Sequence, residues 1–362
     1  MATKTVIPFG PQHPVLPEPV HLDLVLDDET VVEAVPQIGF IHRGLESLVD
    51  KRDYKRFVYV AERICGICSF GHSLGYSELV ASLMGFQAPE RAQYLRAIFH
   101  ELSRIHSHVL WLGLAADAFG FESLFMHSWR LRERILDVFE ACTGGRVILN
   151  FCEPGGIVRD VEATELDGIV DMLATWRGEY GQIANTFLND SSVRSRLCGV
   201  GHLSREEVIE YGCVGPMARA SGYANDIRLA GIGGYGHLAE FAPVTSDEGD
   251  CYARCKVRVE EVLQSVDIIT ELAGKIPEGP VFEDIKGKPA DGAEAITRVE
   301  QPRGEAFYYA KGNGTMNLER FRVRTPTTTN IPGMAMALRG CDLADVPNII
   351  MTIDPCISCT ER

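Results

Sequence analysis

The sequence predicts an α+β fold in which helix dominates, a long central helix bundle with small β hairpins appended. Three observations lead there. Four long segments carry apolar residues at three- and four-residue spacing, two short stretches alternate apolar with polar residues around turn sequences, and 46% of the 362 residues are hydrophobic. A chain of this size buries an extensive core without disulfides or a structural metal, because burial improves as surface-to-volume falls. No internal repeat or low-complexity segment interrupts it, so residues 1–362 are read as one domain. Its parts are an N-terminal loop and hairpin (1–60), a helical core (61–275), a β-containing excursion (276–330) and a C-terminal segment (331–362).

Pro8-Phe9-Gly10-Pro11-Gln12-His13-Pro14 reads as an opening loop. A hairpin follows, with His21–Leu26 and Val31–Val35 flanking Asp27-Asp28-Glu29-Thr30. From Arg91 a helix is predicted, since Leu95, Ile98, Phe99, Leu102, Ile105, Val109 and Leu112 share one face. Glu122 to Cys142 is its neighbour, ending before Gly144-Gly145. Further helices fit Thr164 to Asn189 and Asp250 to Lys275, the latter stopped by Pro277, Gly279 and Pro280. Residues 276–304 are richer in Pro, Gly and charge and read as a surface excursion. A second hairpin then pairs Ala306–Ala310 with Phe321–Val323 across Gly312-Asn313-Gly314.

Thirty-five Lys and Arg against 50 Asp and Glu leave a net charge of -15, a field that repels phosphate backbones, so nucleic acid is not an expected partner. Eleven cysteines without an N-terminal apolar stretch of signal-peptide type point to a reducing compartment, hence to the cytoplasm. The most apolar segment, Ile98 to Phe121, contains Glu101, Arg104, His106, His108 and Asp117, too many polar groups for a membrane span. Any membrane anchor must come from partners.

Two Cys-x-x-Cys pairs stand at opposite ends, Cys65 with Cys68 and Cys356 with Cys359. A two-residue spacer turns both thiols to one side, and two pairs supply four soft ligands. Zinc ribbons draw both pairs from one short segment to staple a fold that lacks a core. Joining the two ends of a long, self-sufficient chain suits a centre that does chemistry, although from spacing alone zinc and iron-sulfur still compete.

The stretches Arg63-Ile64-Cys65-Gly66-Ile67-Cys68 with His72, and Asp354-Pro355-Cys356-Ile357-Ser358-Cys359 with Arg362, resemble the two signature motifs of nickel-iron hydrogenase large subunits. Gly10–Pro14, Glu62-Arg63, Gly215–Gly222 and Pro302-Arg303-Gly304-Glu305 resemble the branch shared with the quinone-site subunit of respiratory complex I, whose hydrogenase members are energy-converting. Complex I subunits of this fold have lost the metal-binding cysteines, whereas all four stand here.

The resemblance implies a nickel-iron centre in which Cys65 and Cys356 are terminal nickel ligands, while Cys68 and Cys359 bridge to an iron carrying carbon monoxide and cyanide. It implies Cys356 as the first base and Glu18, in Leu16-Pro17-Glu18-Pro19, as the next proton acceptor. Arg324 would lie over the open metal position beside a cyanide, Pro326 and Thr327 would line the same pocket, and His72 would hydrogen-bond a bridging sulfur. Against these stand plainer uses: a solvated carboxylate for Glu18, a strand arginine like Arg320 and Arg322 for Arg324, and a satisfied core histidine for His72.

Glu46 falls where relatives place a ligand for a magnesium or iron ion, yet the C-terminal counterpart is Arg362, and arginine cannot ligate a cation. An ion pair is an equally sensible use of the same geometry. The other seven cysteines show no further Cys-x-x-Cys, so no iron-sulfur cluster is expected in this chain. His100, His106 and His108 read as core or interface residues.

The implied partners are a small subunit with a four-iron four-sulfur cluster, a ferredoxin-like electron-transfer subunit and integral membrane ion-translocating subunits, at the cytoplasmic face of the membrane. The implied activity interconverts protons and dihydrogen with ferredoxin-linked electrons. Its rivals are a metal-free electron-transfer or quinone subunit and a zinc-thiolate scaffold.

Overall fold

The computed structural model describes residues 5–14, 16, 18–238 and 240–362. The chain opens with a three-stranded antiparallel sheet, β1 (Thr5–Phe9), β2 (His21–Asp27) and β3 (Thr30–Gln37), in that order. The hairpin is the expected one, with Leu24 opposite Ala34 and Asp28 at φ 53 in its tight turn. Strand β1 is not: Pro8 and Phe9 belong to a strand paired with Asp23 and Leu22, and the loop starts only at Gly10. Proline fits there because β1 is an edge strand, where a missing N–H costs no ladder bond.

The helical core comprises α1 (Ser69–Met84), α2 (Glu90–Ala118), α3 (Glu122–Thr143), α4 (Ala163–Asn189) and α5 (Cys251–Ala273). Their ends follow local chemistry. Gly85 and Gly144 close α1 and α3 in the left-handed conformation. Glu162 and Glu165 form a reciprocal capping box on α4, and Asp250 accepts from the Ala253 amide at 2.8 Å at the start of α5.

Helix α2 is the central rod, packed against α3 and α5, and it is buried nearly all round. Three buried side-chain donors lock its neighbours together. Trp176 Nε1 donates to Leu131 O at 2.9 Å, the Tyr180 hydroxyl to Val259 O at 3.1 Å, and Trp111 Nε1 to Met351 O at 2.7 Å. One continuous cluster of buried apolar residues runs from the first sheet to the C-terminal helices.

A second antiparallel sheet holds β4 (Glu294–Gln301), β5 (Gly304–Gly312) and β6 (Leu318–Arg324). The β5–β6 hairpin was expected. Strand β4 lies inside what composition marked as surface excursion, because its inner residues Ala295, Thr297 and Val299 pack inward while Glu294 and Ile296 face solvent. Gln301 pairs with Gly304, so Pro302 and Arg303 form a two-residue turn at the sheet's inner end. Helices α6 (Pro326–Leu338) and α7 (Val346–Ile353) follow, α6 packing on β3 and β5 and α7 on α2 and α5.

Charged residues also pack at the heart of this core. Arg104, Glu101, Arg228, Asp226, Arg219 and Glu261 form a closed ring of alternating sign, with separations from 2.7 to 3.8 Å, and none is more than 3% exposed. Glu300 joins through Arg219 and His108 through Glu261, at 2.7 and 2.8 Å. Burial holds His100 and His106 down to about 3 and His108 to about 4, so all three are neutral core residues, as expected.

Glu62 carries a pH dependence of its own. Its fully buried carboxylate accepts from the Leu149 and Asn150 amides at 3.2 and 3.1 Å, yet burial raises it to about 7. The folded chain therefore keeps a proton that the unfolded chain releases between about 4.5 and about 7, so stability should fall as pH rises through that window. The slope is at most about 1.4 kcal/mol per pH unit. Urea titrations of Glu62→Gln should lack that decline; an unchanged decline would assign it to another group.

Candidate metal centre

Both cysteine pairs sit where a helix begins. Cys68 caps α1, and Cys356 caps the short helix Ile357–Thr360, so each backbone turns sharply between the two thiols. The C-terminal loop is held by hydroxyls. Thr327 Oγ1 accepts from the Cys356 amide at 2.9 Å, Thr360 Oγ1 donates to Cys356 O at 2.9 Å, and Thr325 Oγ1 donates to Cys359 O at 3.1 Å. Pro326, at the first turn of α6, is buried beside them.

The four thiols meet. Sγ of Cys65 lies 3.4 Å from that of Cys356, and Sγ of Cys68 lies 3.4 Å from that of Cys359. Cys65, Cys68 and Cys359 are mutually within 4.8 Å, and all four cysteines are 1–2% exposed. The sulfurs are too far apart for a disulfide, whose bond is about 2.0 Å. Two thiolates bound to one ion at about 2.3 Å lie about 3.3 to 3.8 Å apart for angles between square and tetrahedral. The observed spacing thus fits metal binding.

The Cys356, Cys359 and Cys68 thiols crowd around the Cys65 sulfur and hold its pKa well below the ordinary thiol value. Cys65 Sγ also accepts from the Ile67 amide at 3.2 Å.

Around the sulfurs, His72 Nε2 lies 3.4 Å from Cys359 Sγ, and burial depresses the imidazole to about 4. Glu18 accepts from the Ile357 amide, from the Ser358 amide at 3.2 Å and from the Ser358 hydroxyl at 2.6 Å. Its carboxylate thus sits one residue from Cys356, held by backbone donors. It lines a cavity of about 260 Å³ with Ile67, Leu110, Trp111, Trp129, Arg303 and Asp354, and a pocket of about 380 Å³ with Pro11, Gln12, His13 and Pro14.

Arg324 is not at the centre. Its side chain is 49% exposed, lies 3.5 Å from Glu305 and covers the Phe307 ring, because β6 turns it away from the sulfurs. The arginine whose charge acts on Cys356, Cys68 and Cys65 is Arg303. It is buried, donates to Asp354 Oδ1 at 2.7 Å and Asp354 O at 2.9 Å, and reaches Ser107 Oγ at 3.2 Å. Arg303 was visible in the sequence only within Pro302-Arg303-Gly304-Glu305, and nothing there gave it a direction. The two-residue turn does so, with Gly304 at φ 125 and so close to Gly215 that a Cβ would meet its backbone nitrogen at 2.6 Å.

Glu46 takes the ion-pair role. Burial alone would raise its carboxyl, but Arg362 at 2.9 Å, the Val323 amide at 2.9 Å and Arg322 hold it below the usual range. Both oxygens already face donors that a cation would have to displace. Arg322, expected on a solvated face, is thereby part of the anchor of the C-terminus. Of the remaining cysteines, Cys251 and Cys255 are wholly buried on α5; Cys255 packs as apolar filler, whereas Cys251 Sγ accepts from Arg254 and from the Thr352 hydroxyl, each at 3.3 Å.

A helix-dominated chain that folds both ends onto one buried four-sulfur site has the build of an oxidoreductase subunit made for thiolate metal chemistry. The comparisons agree. The family model described as respiratory-chain NADH dehydrogenase, 49 kDa subunit, matches residues 118–291 and 285–362, and that of nickel-dependent hydrogenase matches 43–115. The chain is 39% identical to the membrane-bound hydrogenase subunit alpha of Pyrococcus furiosus over 98% of its own length and 87% of that protein's. It is 36% identical to the carbon monoxide-induced hydrogenase of Rhodospirillum rubrum over 100% of both. A chain of an archaeal membrane-bound sulfane sulfur reductase superposes with a TM-score of 0.92 at 29% identity, covering 99% of this chain and 98% of that one. The chain therefore belongs to the nickel-iron hydrogenase large-subunit family, in the energy-converting branch that it shares with the 49 kDa subunit of NADH dehydrogenase.

The Pyrococcus furiosus hydrogenase and the sulfane sulfur reductase are membrane-bound, while no helix among the described residues of this chain is long and apolar enough to cross a membrane.

Proposed function

We propose that this chain is the catalytic large subunit of an energy-converting nickel-iron hydrogenase, interconverting protons and dihydrogen with ferredoxin-linked electrons. One observation supports this above all others: four buried thiols, drawn from both ends of the chain, converge at metal-binding distance. Cys65 and Cys356 would hold nickel, and Cys68 and Cys359 would bridge it to an iron bearing carbon monoxide and cyanide. When bound, the centre supplies a Lewis-acidic metal pair at which dihydrogen splits heterolytically.

The chain's own groups serve that chemistry. Glu18, between the inner cavity and the N-terminal-loop pocket, receives a proton from the Cys356 side and passes it outward, its carboxylate aimed by the donors on Ile357 and Ser358. Arg303, fixed by Asp354, keeps positive charge against the thiolates and the anionic iron ligands. Thr327 fixes the Cys356 backbone. Glu46 anchors the C-terminus.

Electrons leave through a partner. The loop 38–43 exposes Ile38 and Phe40 and is pinned beside both motifs, where Arg43 donates to Ile64 O and Ser358 O at 2.8 Å. That face suits a small subunit carrying a four-iron four-sulfur cluster, within an assembly peripheral to the cytoplasmic face and joined to ion-translocating membrane subunits.

Infrared spectroscopy with metal analysis on the assembled complex tests the reading. Nickel with diatomic-ligand bands is expected; stoichiometric zinc without such bands would sink it. Glu18→Gln should keep metal and bands yet slow proton–deuterium exchange by roughly 10² or more, the usual scale of a lost proton-transfer group. Exchange at the wild-type rate would remove Glu18 from the proton route.

A further inference from the structure

Helix α1 is notched where it carries His72. A Cβ on Gly75 would lie 2.4 Å from the Tyr308 ring, and one on Gly71 would lie 3.1 Å from the Gln301 side chain. Each glycine costs a helix interior about 1 kcal/mol relative to alanine. Together they admit two polar side chains from β4 and β5 against the face that bears the imidazole.

Those side chains reach one ring nitrogen. The Tyr308 hydroxyl lies 3.0 Å and Gln301 Nε2 3.4 Å from His72 Nδ1, while Gln301 Nε2 donates to the Tyr308 oxygen at 2.8 Å. The other nitrogen, Nε2, lies 3.4 Å from Cys359 Sγ.

We infer that Tyr308 and Gln301 are positioning residues that lock His72 as its Nε2–H tautomer, so that the imidazole donates a fixed hydrogen bond to the Cys359 sulfur. The inference rests on reading Cys359 as a metal-bound thiolate.

Both ends of the ring demand the same tautomer. On one side, the Tyr308 oxygen is already an acceptor from Gln301 and must place its single proton elsewhere. His72 Nδ1 at 3.0 Å is nearer than the alternative, Gly71 O at 3.4 Å. Nδ1 is then an acceptor and carries no hydrogen. On the other side, a metal-bound thiolate has no proton to give, so a contact with Nε2 is a bond only if Nε2 carries hydrogen. Among the described residues no carboxylate is hydrogen-bonded to the ring.

The support extends outward. Arg104, from the buried charge ring, donates to the carbonyl of Gln301 at 3.4 Å and to that of Glu300, pinning the end of β4. A hydrogen bond to a ligating sulfur withdraws electron density from it, so this lock tunes the metal through Cys359.

The test uses the full chain loaded with zinc alone, a closed-shell probe, and labelled with ¹⁵N-histidine; His72→Gln identifies the resonance. The wild type should show Nδ1 unprotonated and Nε2 protonated. In Tyr308→Phe, and separately in Gln301→Met should the first variant not fold, a population with Nδ1 protonated should appear. With cobalt alone as the probe, the thiolate-to-cobalt charge-transfer band should move to lower energy in both variants and in His72→Gln, which a merely structural role would not produce. Gly75→Ala, which pushes on the Tyr308 ring, should shift the band in the same direction.

A wild-type ring protonated at Nδ1, or variants with unchanged tautomer and band, would overturn the inference. A complex that shows the tautomer and the cobalt shift but lacks nickel and diatomic-ligand bands would uphold it and reject the hydrogenase reading.

Discussion

Cys356→Ser should abolish nickel retention and turnover in the assembled complex while leaving the fold intact. Serine matches cysteine in shape, and what orients residue 356 is backbone: its amide bonds Thr327, its carbonyl accepts from Thr360, and Ile357 and Ser358 bond Glu18. None of those contacts uses the sulfur. The hydroxyl, however, is a hard donor that stays protonated near neutral pH, so it replaces a soft thiolate poorly at any thiophilic metal. Metal-free protein should unfold within about 1 kcal/mol of metal-free wild type, since the serine hydroxyl is close to isosteric and can still donate toward Cys65 Sγ, the partner that the thiol has at 3.4 Å. The loaded proteins should differ by far more, because metal bound only to the folded state adds to its stability. Stoichiometric nickel with unshifted infrared bands in Cys356→Ser would refute the ligand assignment.

Arg219→Met should be the most damaging substitution remote from the thiols. Its guanidinium binds Glu261 and Glu300, each at 2.7 Å, and lies 3.6 Å from Asp226, all without solvent. Removing it leaves up to three carboxylates to be neutralised in the core. A single broken buried pair costs about 3–5 kcal/mol, and a whole domain is stable by only about 5–15 kcal/mol. Urea midpoints should show a loss on that scale, partly recovered in Arg219→Met/Glu261→Gln, where one orphaned charge is gone. A loss under about 1 kcal/mol would mean that water enters the ring.

Periodicity placed the long helices to within a residue or two, because burying one face of a helix imposes the three- and four-residue repeat that α2, α3, α4 and α5 display. The same logic failed at β4. Pro, Gly and charged residues around 276–293 coloured the whole stretch, although Ala295, Thr297 and Val299 alternate inward. The cysteine pairs and the neighbourhood of Glu18, His72 and Thr327 were legible from motif. The arginine was not: Arg324 and Arg303 both precede or follow turn residues, and direction, which sequence does not carry, separates a strand arginine over Phe307 from one inside a two-residue turn against Asp354.

By itself, then, the amino-acid order did not determine α1, α6 or α7, but it did determine the four periodic helices α2 to α5, the first hairpin and the two cysteine pairs. These are local properties, set by side-chain spacing and ligand chemistry within a few residues. Tertiary structure alone decided that Arg303 rather than Arg324 faces the thiols, that Glu46 is closed by Arg322 and Arg362, and that Tyr308 and Gln301 reach His72. Each of those facts joins residues from distant parts of the chain, and such meetings exist only once β4, β5 and the C-terminus have packed against α1.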